Sequence, residues 1–144
     1  MTYCTKQDLI DRFGETELVQ VTDRMNKPAS TIDDTVVNRA LSDATALIDG
    51  YIGKAYKLPL AAVPDSLVKA SADIARYYLH FKGVDKESPV QRAYDQAVTL
   101  LLNVSKGLVQ LVEDTGTAPA PAGDGMVQFS GAERVFTRCS LRGF

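Results

Sequence analysis

The sequence predicts a mainly α-helical fold, a small bundle of about four to five helices followed by a flexible linker and a β-prone C-terminal arm. Three observations support this prediction. Apolar residues recur every three or four positions through residues 1–112, and Gly, Pro, Asn and Ser separate these periodic segments. The composition then changes to Gly, Pro, Ala and Thr over residues 113–125, and residues 126–144 alternate between apolar and polar. We therefore expect a helical domain, a linker and an arm over these three ranges.

Two short helices are expected at the start of the chain. Thr5 and Asp8 have the spacing of a capping box, and the helix that they open is expected to stop at Gly14. A second helical turn is expected over residues 15–21. The polar segment 22–31 predicts a loop.

The longest helix is expected to begin at a cap formed by Asp33 or Asp34 and to end near Tyr56. Its apolar face is wider than a core stripe requires, which leaves part of it for a neighbouring molecule. A glycine inside a helix costs about 1 kcal/mol relative to alanine, so two glycines near the end indicate either close backbone approach or a frayed end. The candidate subunit-contact positions of this helix are Leu47, Gly50, Ile52 and Gly53.

Two further helices follow. Two prolines bound a non-helical connector over residues 59–64, because proline lacks the backbone donor and clashes with the preceding turn. The next helix is expected to begin at the end of this connector and to finish near Gly83. Ser88 predicts the N-cap of the last helix, which is expected to continue to about Lys106. Residues 108–112, LVQLV, predict a strand or an extended exit from the bundle.

The last segment of the chain has the pattern of a peptide that docks on a partner. The linker EDTGTAPAPAGDG contains little that a core could bury, whereas MVQFS and RVFTR alternate like strands. An extended segment of this kind can complete the hydrogen bonds of an exposed sheet edge, with aromatic side chains in pockets and arginines on carboxylates. The candidate docking residues are Arg134, Val135, Phe136, Arg138, Arg142 and Phe144.

Composition excludes several classes of function. The 45% hydrophobic content is enough for a core, and no apolar run approaches the roughly eighteen residues of a membrane span. The net charge of −2 divides into −3 for residues 1–117 and +1 for the remainder, the opposite of a body that coats DNA. No secretory leader is evident, so synthesis in the cytosol is expected. Cys4 and Cys139 are expected to be reduced thiols.

Enzyme and metal signatures are missing from the sequence. The single histidine, His80, is accompanied by no nucleophile motif and is expected to pack at a boundary. A calcium loop beginning at Asp23 would place Met25 and Lys27 at ligand positions, so we expect no metal and no cofactor. A small cytosolic enzyme remains the weakest of three functional alternatives.

DNA binding is the stronger alternative. The stretch LIDRFGETELVQV resembles a helix-turn-helix, whose second helix would present its first residues to base edges. Those residues are Glu15, Thr16 and Glu17, which would repel phosphates, so a simple helical corner is favoured. A small DNA-binding regulator with a helix-turn-helix-like N-terminus is the alternative function.

Three segments carry a resemblance to a known family. The opening YCTKQDLIDRFGETELVQVTDR, the middle IDGYIGKAYKLPLAAVPDSLVKASADIARYYLH and the ending VQFSGAERVFTRCSLRGF are similar to Mu-like phage head-to-tail connectors, also called neck or head-completion proteins. The loop 26–30 departs from the expected pattern, so no ion site is carried over to it.

The resemblance implies a structural virion protein without catalysis. Such a protein assembles as a ring beneath the portal after DNA packaging, extends the DNA channel and provides a platform for the tail. The implied partners are the portal protein, the next neck or tail-completion protein, and further copies of the chain in a ring that matches the portal's twelve-fold symmetry. Genomic DNA would pass through the lumen without sequence-specific binding, and no membrane is involved. The implied location is the virion neck, and the host cytoplasm during assembly.

Overall fold

A computed structural model describes residues 2–23, 25–26, 29–80, 84–112 and 121. These residues form five α-helices and contain no β-strand, so the predicted mainly α-helical fold is confirmed. The helices are α1 (Lys6–Phe13), α2 (Glu15–Thr22), α3 (Asp34–Ile52), α4 (Asp65–Leu79) and α5 (Pro89–Ser105).

Side-chain caps start three of the helices where the sequence predicts them. Thr5 and Asp8 form a reciprocal capping box on α1, with the Thr5 amide donating to Asp8 at 2.7 Å. The Asp33 carboxylate accepts from the Thr35 amide at 2.8 Å, and the Ser88 hydroxyl accepts from Gln91 at 3.1 Å. Each cap satisfies backbone donors that the first turn of a helix leaves free.

Glycines with positive φ stop two helices. Gly14, at φ +86°, separates α1 from α2, and Gly107, at φ +72°, follows α5. Beyond Gly107 the Leu108 amide donates to the Asn103 carbonyl at 2.9 Å, which closes the last turn of α5. Residues 108–112 were predicted to form either a strand or an extended exit from the bundle. No strand forms there, so this segment is the extended exit.

Two helices end earlier than the sequence predicts. Helix α3 ends at Ile52 and not near Tyr56, because Gly53 forms its C-cap and the chain then turns toward the proline connector. Helix α4 ends at Leu79 and not near Gly83, with the His80 amide donating to the Tyr77 carbonyl in a tightened last turn. Gly53 and the backbone hydrogen bonds of the last turns set these two ends, and apolar periodicity does not report them.

The core lies between the three long helices. Helix α4 packs against both α3 and α5, and α3 also contacts α5. Helix α4 is central, with eight of its fifteen residues buried. The short pair α1 and α2 is attached to this group through contacts between α1 and α4. Leu9, Leu18 and Thr22 supply the fully buried side chains of the pair.

Candidate interaction surfaces

The four candidate subunit-contact positions of α3 do not share one surface. Leu47 is half-buried and packs against the core, and Gly50 is exposed with open space around the position of a Cβ. Ile52 is completely buried in its own chain, so it has no surface to offer a neighbour. A side chain at Gly53 would lie 2.9 Å from the Asp49 carbonyl oxygen and 3.4 Å from Leu58 Cδ1. The close approach expected at Gly53 is therefore made within the chain.

Leu47, Gly50 and Gly53 consequently remain the positions of this set that can meet a neighbouring subunit, since Gly53 is exposed as Gly50 is. They lie three residues apart, so they face the same side of α3. Whether that face contacts another copy stays a prediction.

A partly buried charge pair fastens the short helices to the bundle. Arg76 on α4 donates two hydrogen bonds to Glu17 on α2, at 2.6 and 2.8 Å, and its guanidinium lies 4.5 Å from the centre of the Phe13 ring. Both charged side chains are mostly buried, with 24% and 29% of their surface exposed. The bidentate geometry and the aromatic ring orient the arginine strongly.

His80 lies beside this pair at the end of α4. Its Nε2 is 3.6 Å from a Glu17 oxygen, too far for a hydrogen bond, and has no hydrogen-bond partner among the described residues. The histidine is therefore a packed boundary residue at the junction of α2 and α4, as the sequence predicts. It faces a carboxylate that Arg76 already neutralises, with no nucleophile beside it in the described part of the chain.

Tyr56 holds together two parts of the chain that are distant in sequence. Its hydroxyl accepts a hydrogen bond from the Leu111 amide at 3.0 Å in a buried position. Its backbone forms an isolated antiparallel bridge with Pro121. The segment after α5 is thus fixed at Leu111 near the end of α3, and Pro121, ten positions later, contacts the same Tyr56.

The exit segment carries exposed apolar side chains. Leu108, Val109 and Val112 are 74%, 36% and 57% exposed, whereas Leu111 between them is 2% exposed and packs in the core. We call Leu108, Val109 and Val112 the exit surface. Three exposed apolar side chains therefore lie within the five residues 108–112 that follow the last helix.

The start of the chain is attached to the same end of α3. The Tyr3 hydroxyl donates a hydrogen bond to Asp49 on the last turns of that helix. Burial and the adjacent Asp49 carboxylate raise the pKa of the Tyr3 hydroxyl, so it remains a donor through the physiological range. Both the beginning of the described chain and its exit therefore lie at the C-terminal end of α3.

Other titratable groups have structural surroundings. Burial, reinforced by Asp8, raises the pKa of the Cys4 thiol to about 12, so the thiol is inert at neutral pH. Amide donors, that of Ser30 above all, lower the pKa of the exposed Asp23, which organises the loop after α2. Burial, with the neighbouring Tyr94, raises the pKa of Tyr78 to about 12. None of these shifts brings a group toward acid–base work near neutrality.

The candidate docking arm lies outside the described residues. Arg134, Val135 and Phe136 and the three remaining candidates belong to that segment, as do Cys139 and most of the predicted linker. Pro121 is the described residue of the linker, and its contact with Tyr56 means that the linker is attached to the body at this point. The prediction that the arm docks on a partner stays a prediction.

Sequence reasoning missed the two anchoring contacts. The pair Glu17–Arg76 spans 59 residues and the pair Tyr56–Leu111 spans 55. A signal for the first was the isolated arginine among apolar and small residues of α4, because such a residue needs a buried carboxylate. Nothing local marked Tyr56 as the residue that receives the exit.

The described residues combine a helical body, two anchoring side-chain clusters and an apolar exit, and the sequence is similar to proteins of phage Mu and of a Mu-like prophage. Gene product J of Escherichia phage Mu is 33% identical over 138 residues, covering 96% of each chain. The Mu-like prophage FluMu protein gp36 of Haemophilus influenzae is 30% identical over 144 residues, covering 99% of this chain and 97% of the relative. The profile of the family "Bacteriophage Mu, Gp36" matches residues 3–129, and the chain belongs to this family.

The family assignment agrees with the expected resemblance at the level of a Mu-like phage protein. Neither the family description nor the names of the two relatives mentions an enzymatic activity. No helix among the described residues has the length and apolarity that crossing a membrane requires.

Proposed function

We propose that the chain is a structural virion protein of a phage or prophage that acts as the head-to-tail connector. In this role it forms a ring beneath the portal, extends the DNA channel and provides the platform on which the tail assembles. Membership of the Mu Gp36 family over residues 3–129 is the observation that carries the proposal. The alignment with the prophage relative spans 99% of this chain, so it includes the docking arm.

The helical body has the properties of a scaffold. The charged side chains Glu17 and Arg76 bind each other within the chain. Burial raises the pKa of the Cys4 thiol and the Tyr78 hydroxyl, so both groups stay neutral in the packed body. An acidic balance of −3 over residues 1–117 would let DNA move through a ring without adhering to it. The face of α3 that carries the half-buried Leu47 and the exposed Gly50 is available for lateral contacts between copies.

The DNA-binding alternative is disfavoured by the position of α2. Glu15 and Thr16 are exposed at its first turn, where a recognition helix would meet base edges. Glu17 is held by Arg76 on α4, and this contact fixes the first turn of α2 with Glu15 and Thr16 facing outward. The negative charge of Glu15 at this turn repels phosphates at low and at moderate salt.

The experiment that tests the connector role uses a phage whose own copy of the gene is deleted, grown in hosts that express the full chain, a variant lacking residues 126–144, or neither. If the proposal is right, cells without the full chain accumulate DNA-filled heads and free tails, and the full chain restores joined virions. Labelled protein should be found at the head vertex by electron microscopy. Joined, infectious virions in the absence of the chain would overturn the proposal.

Substitutions within the arm refine this test. Phe136→Ala should reduce incorporation into heads more than Arg142→Ala, because a buried aromatic anchor commonly carries about 2 kcal/mol or more and an exposed charge carries less. Equal incorporation of the two variants would show that the arm does not dock through an aromatic pocket.

A further inference from the structure

We propose that neighbouring copies of the chain bind each other through two charge pairs, which join α3 of one copy to α4 of the next. Arg39 of one copy pairs with Asp73 of its neighbour, and Asp43 pairs with Lys69 of the same neighbour. The inference rests on the proposed function for the assembly, a ring, and names the contact between its subunits.

The groove between α4 and α5 contains a carboxylate that its own chain pairs only in part. Asp73 exposes 9% of its side chain and lines a small cavity of about 120 Å³. Lys69 donates to its Oδ2 at 2.7 Å, and the other oxygen receives no hydrogen bond from the described part of the chain. Lys69 itself is 64% exposed. A carboxylate so far removed from water is costly unless its charge is fully compensated, so this cavity favours a second cation.

The exposed side of α3 carries charges that complement this cavity. Arg39 and Asp43 are both exposed, and neither forms an ion pair with another described residue. Ala46 and Gly50 are also exposed and continue the same side of the helix, because the four positions recur at intervals of four, three and four residues. Their small side chains leave room for the close approach of another helix.

The order of the charges matches when the two helices run antiparallel. On α3 the positive Arg39 precedes the negative Asp43 by four residues, and on α4 Lys69 precedes Asp73 by the same interval, about 6 Å along the axis. An antiparallel alignment therefore brings opposite charges together in both pairs, whereas a parallel one would oppose like charges. In the antiparallel contact, the guanidinium of Arg39 supplies the second cation of Asp73 in a geometry that allows two hydrogen bonds.

The two charged surfaces lie on different sides of the bundle. Arg39 and Asp43 border a groove that Tyr78 of α4 also lines, whereas Lys69 and Asp73 line the cavity toward α5. Lys69 precedes Tyr78 by nine residues, about two and a half helical turns, so these two residues lie on opposite sides of α4. A contact between two different surfaces is repeated from copy to copy and can close into a ring.

Cysteine crosslinking of the purified full-length protein tests which residues meet. Asp43→Cys and Lys69→Cys are made separately in a Cys139→Ser background, where the buried Cys4 stays inert. When the two proteins are mixed and oxidised, they should form a disulfide-linked dimer that neither forms alone. Asn38→Cys replaces Asp43→Cys in the matched control, because Asn38 is exposed about 140° around α3 from Asp43. No mixed dimer, or an equal yield with Asn38→Cys, would overturn the contact.

Charge reversal tests whether the pairs hold the copies together. Arg39→Glu, added to the Asp43→Cys protein, should slow the formation of the mixed dimer by about tenfold or more, because it places a carboxylate against Asp73. The thermal melt of the variant should stay unchanged, since Arg39 is exposed. Arg12→Glu is the control, at an exposed position of α1 outside both surfaces. An equal rate in the Arg39→Glu and Arg12→Glu proteins would refute the pairing.

The outcomes separate this contact from the connector role. If the mixed dimer does not form and Arg39→Glu joins heads to tails in the gene-deleted phage as well as the unmodified chain does, the connector role stands and the contact is wrong. If the unmodified chain does not join heads to tails, the proposed function fails, and the mixed dimer still decides whether copies meet through α3 and α4.

Discussion

The contact between Arg76 and Glu17 should control whether α1 and α2 stay attached to the bundle. Arg76→Met keeps most of the apolar stem and removes the charge, both hydrogen bonds and the interaction with Phe13. Hydrogen bonds to charged groups contribute about 1.5 to 3 kcal/mol each when well shielded, and the cation–π contact adds about 0.5 to 1 kcal/mol. Both side chains keep about a quarter of their surface exposed, so solvent screening reduces these values.

We expect Arg76→Met to lower the free energy of unfolding by about 2 to 3 kcal/mol in total, which for a body of about 110 residues corresponds to a decrease in Tm of about 10 °C. The measurement is urea unfolding followed by circular dichroism. Arg39→Met, at an exposed position of α3, is the control and should change stability by less than about 0.5 kcal/mol.

A double-mutant cycle isolates the pair. Glu17→Gln alone should also destabilise the fold, and the double variant should lose less than the sum of the two, with a coupling of about 1.5 kcal/mol or more. Hydrogen exchange should show that protection falls in α1 and α2 before it falls in α5. A coupling below about 0.5 kcal/mol, or a loss equal to that of Arg39→Met, would refute the assignment of Arg76 as the link between the two parts.

Two other predictions follow from the structure. Gly50→Ala should stabilise the isolated chain by about 0.5 to 1 kcal/mol, because its Cβ enters open space. Gly53→Ala should destabilise the chain, because its Cβ would crowd the Asp49 carbonyl oxygen. The reverse order in thermal melts would contradict these environments. In a Cys139→Ser variant, a thiol reagent at pH 8 should label Cys4 at least about a hundredfold more slowly than in the unfolded chain, since a pKa near 12 leaves about a thousandfold less thiolate; equal rates would show an accessible thiol.

The same pKa has a consequence for stability. The Cys4 thiol has a higher pKa in the folded state than in the unfolded chain, so the folded state binds the proton more tightly. Its contribution is complete below the pKa of the unfolded thiol and is lost as the pH rises toward about 12. In Cys4→Ala, which lacks this group, the free energy of unfolding should therefore fall less steeply with rising alkaline pH than in the unmodified chain.

Local signals in the sequence predicted where helices begin. Thr5, Asp33 and Ser88 cap the helices that they were expected to cap, and Gly14 follows the helix that it was expected to end. These signals act through side chains and backbone groups within four residues of each other, which is why one sequence is enough to find them.

Periodicity could not distinguish the inner from the outer side of a wide apolar face. Ile52 was expected to be available to a neighbour and is completely buried in the core of its own chain. Leu47, on the same helix, is half-buried. Which apolar residue meets the core depends on how the helices cross, and that is a long-range property.

The stacked tyrosines give the protein a built-in optical reporter. The rings of Tyr77 and Tyr94 are stacked with centroids 4.2 Å apart, and Tyr78 lies 6.2 Å from Tyr94, so three chromophores join α4 to α5. The chain has no tryptophan to mask their signal, and α1 and α2 contain no tyrosine. Near-ultraviolet circular dichroism should thus report mainly the packing of α4 against α5. When the first two helices detach, it should lose only the contribution of the buried Tyr3 that precedes α1, whereas the far-ultraviolet signal falls in both events.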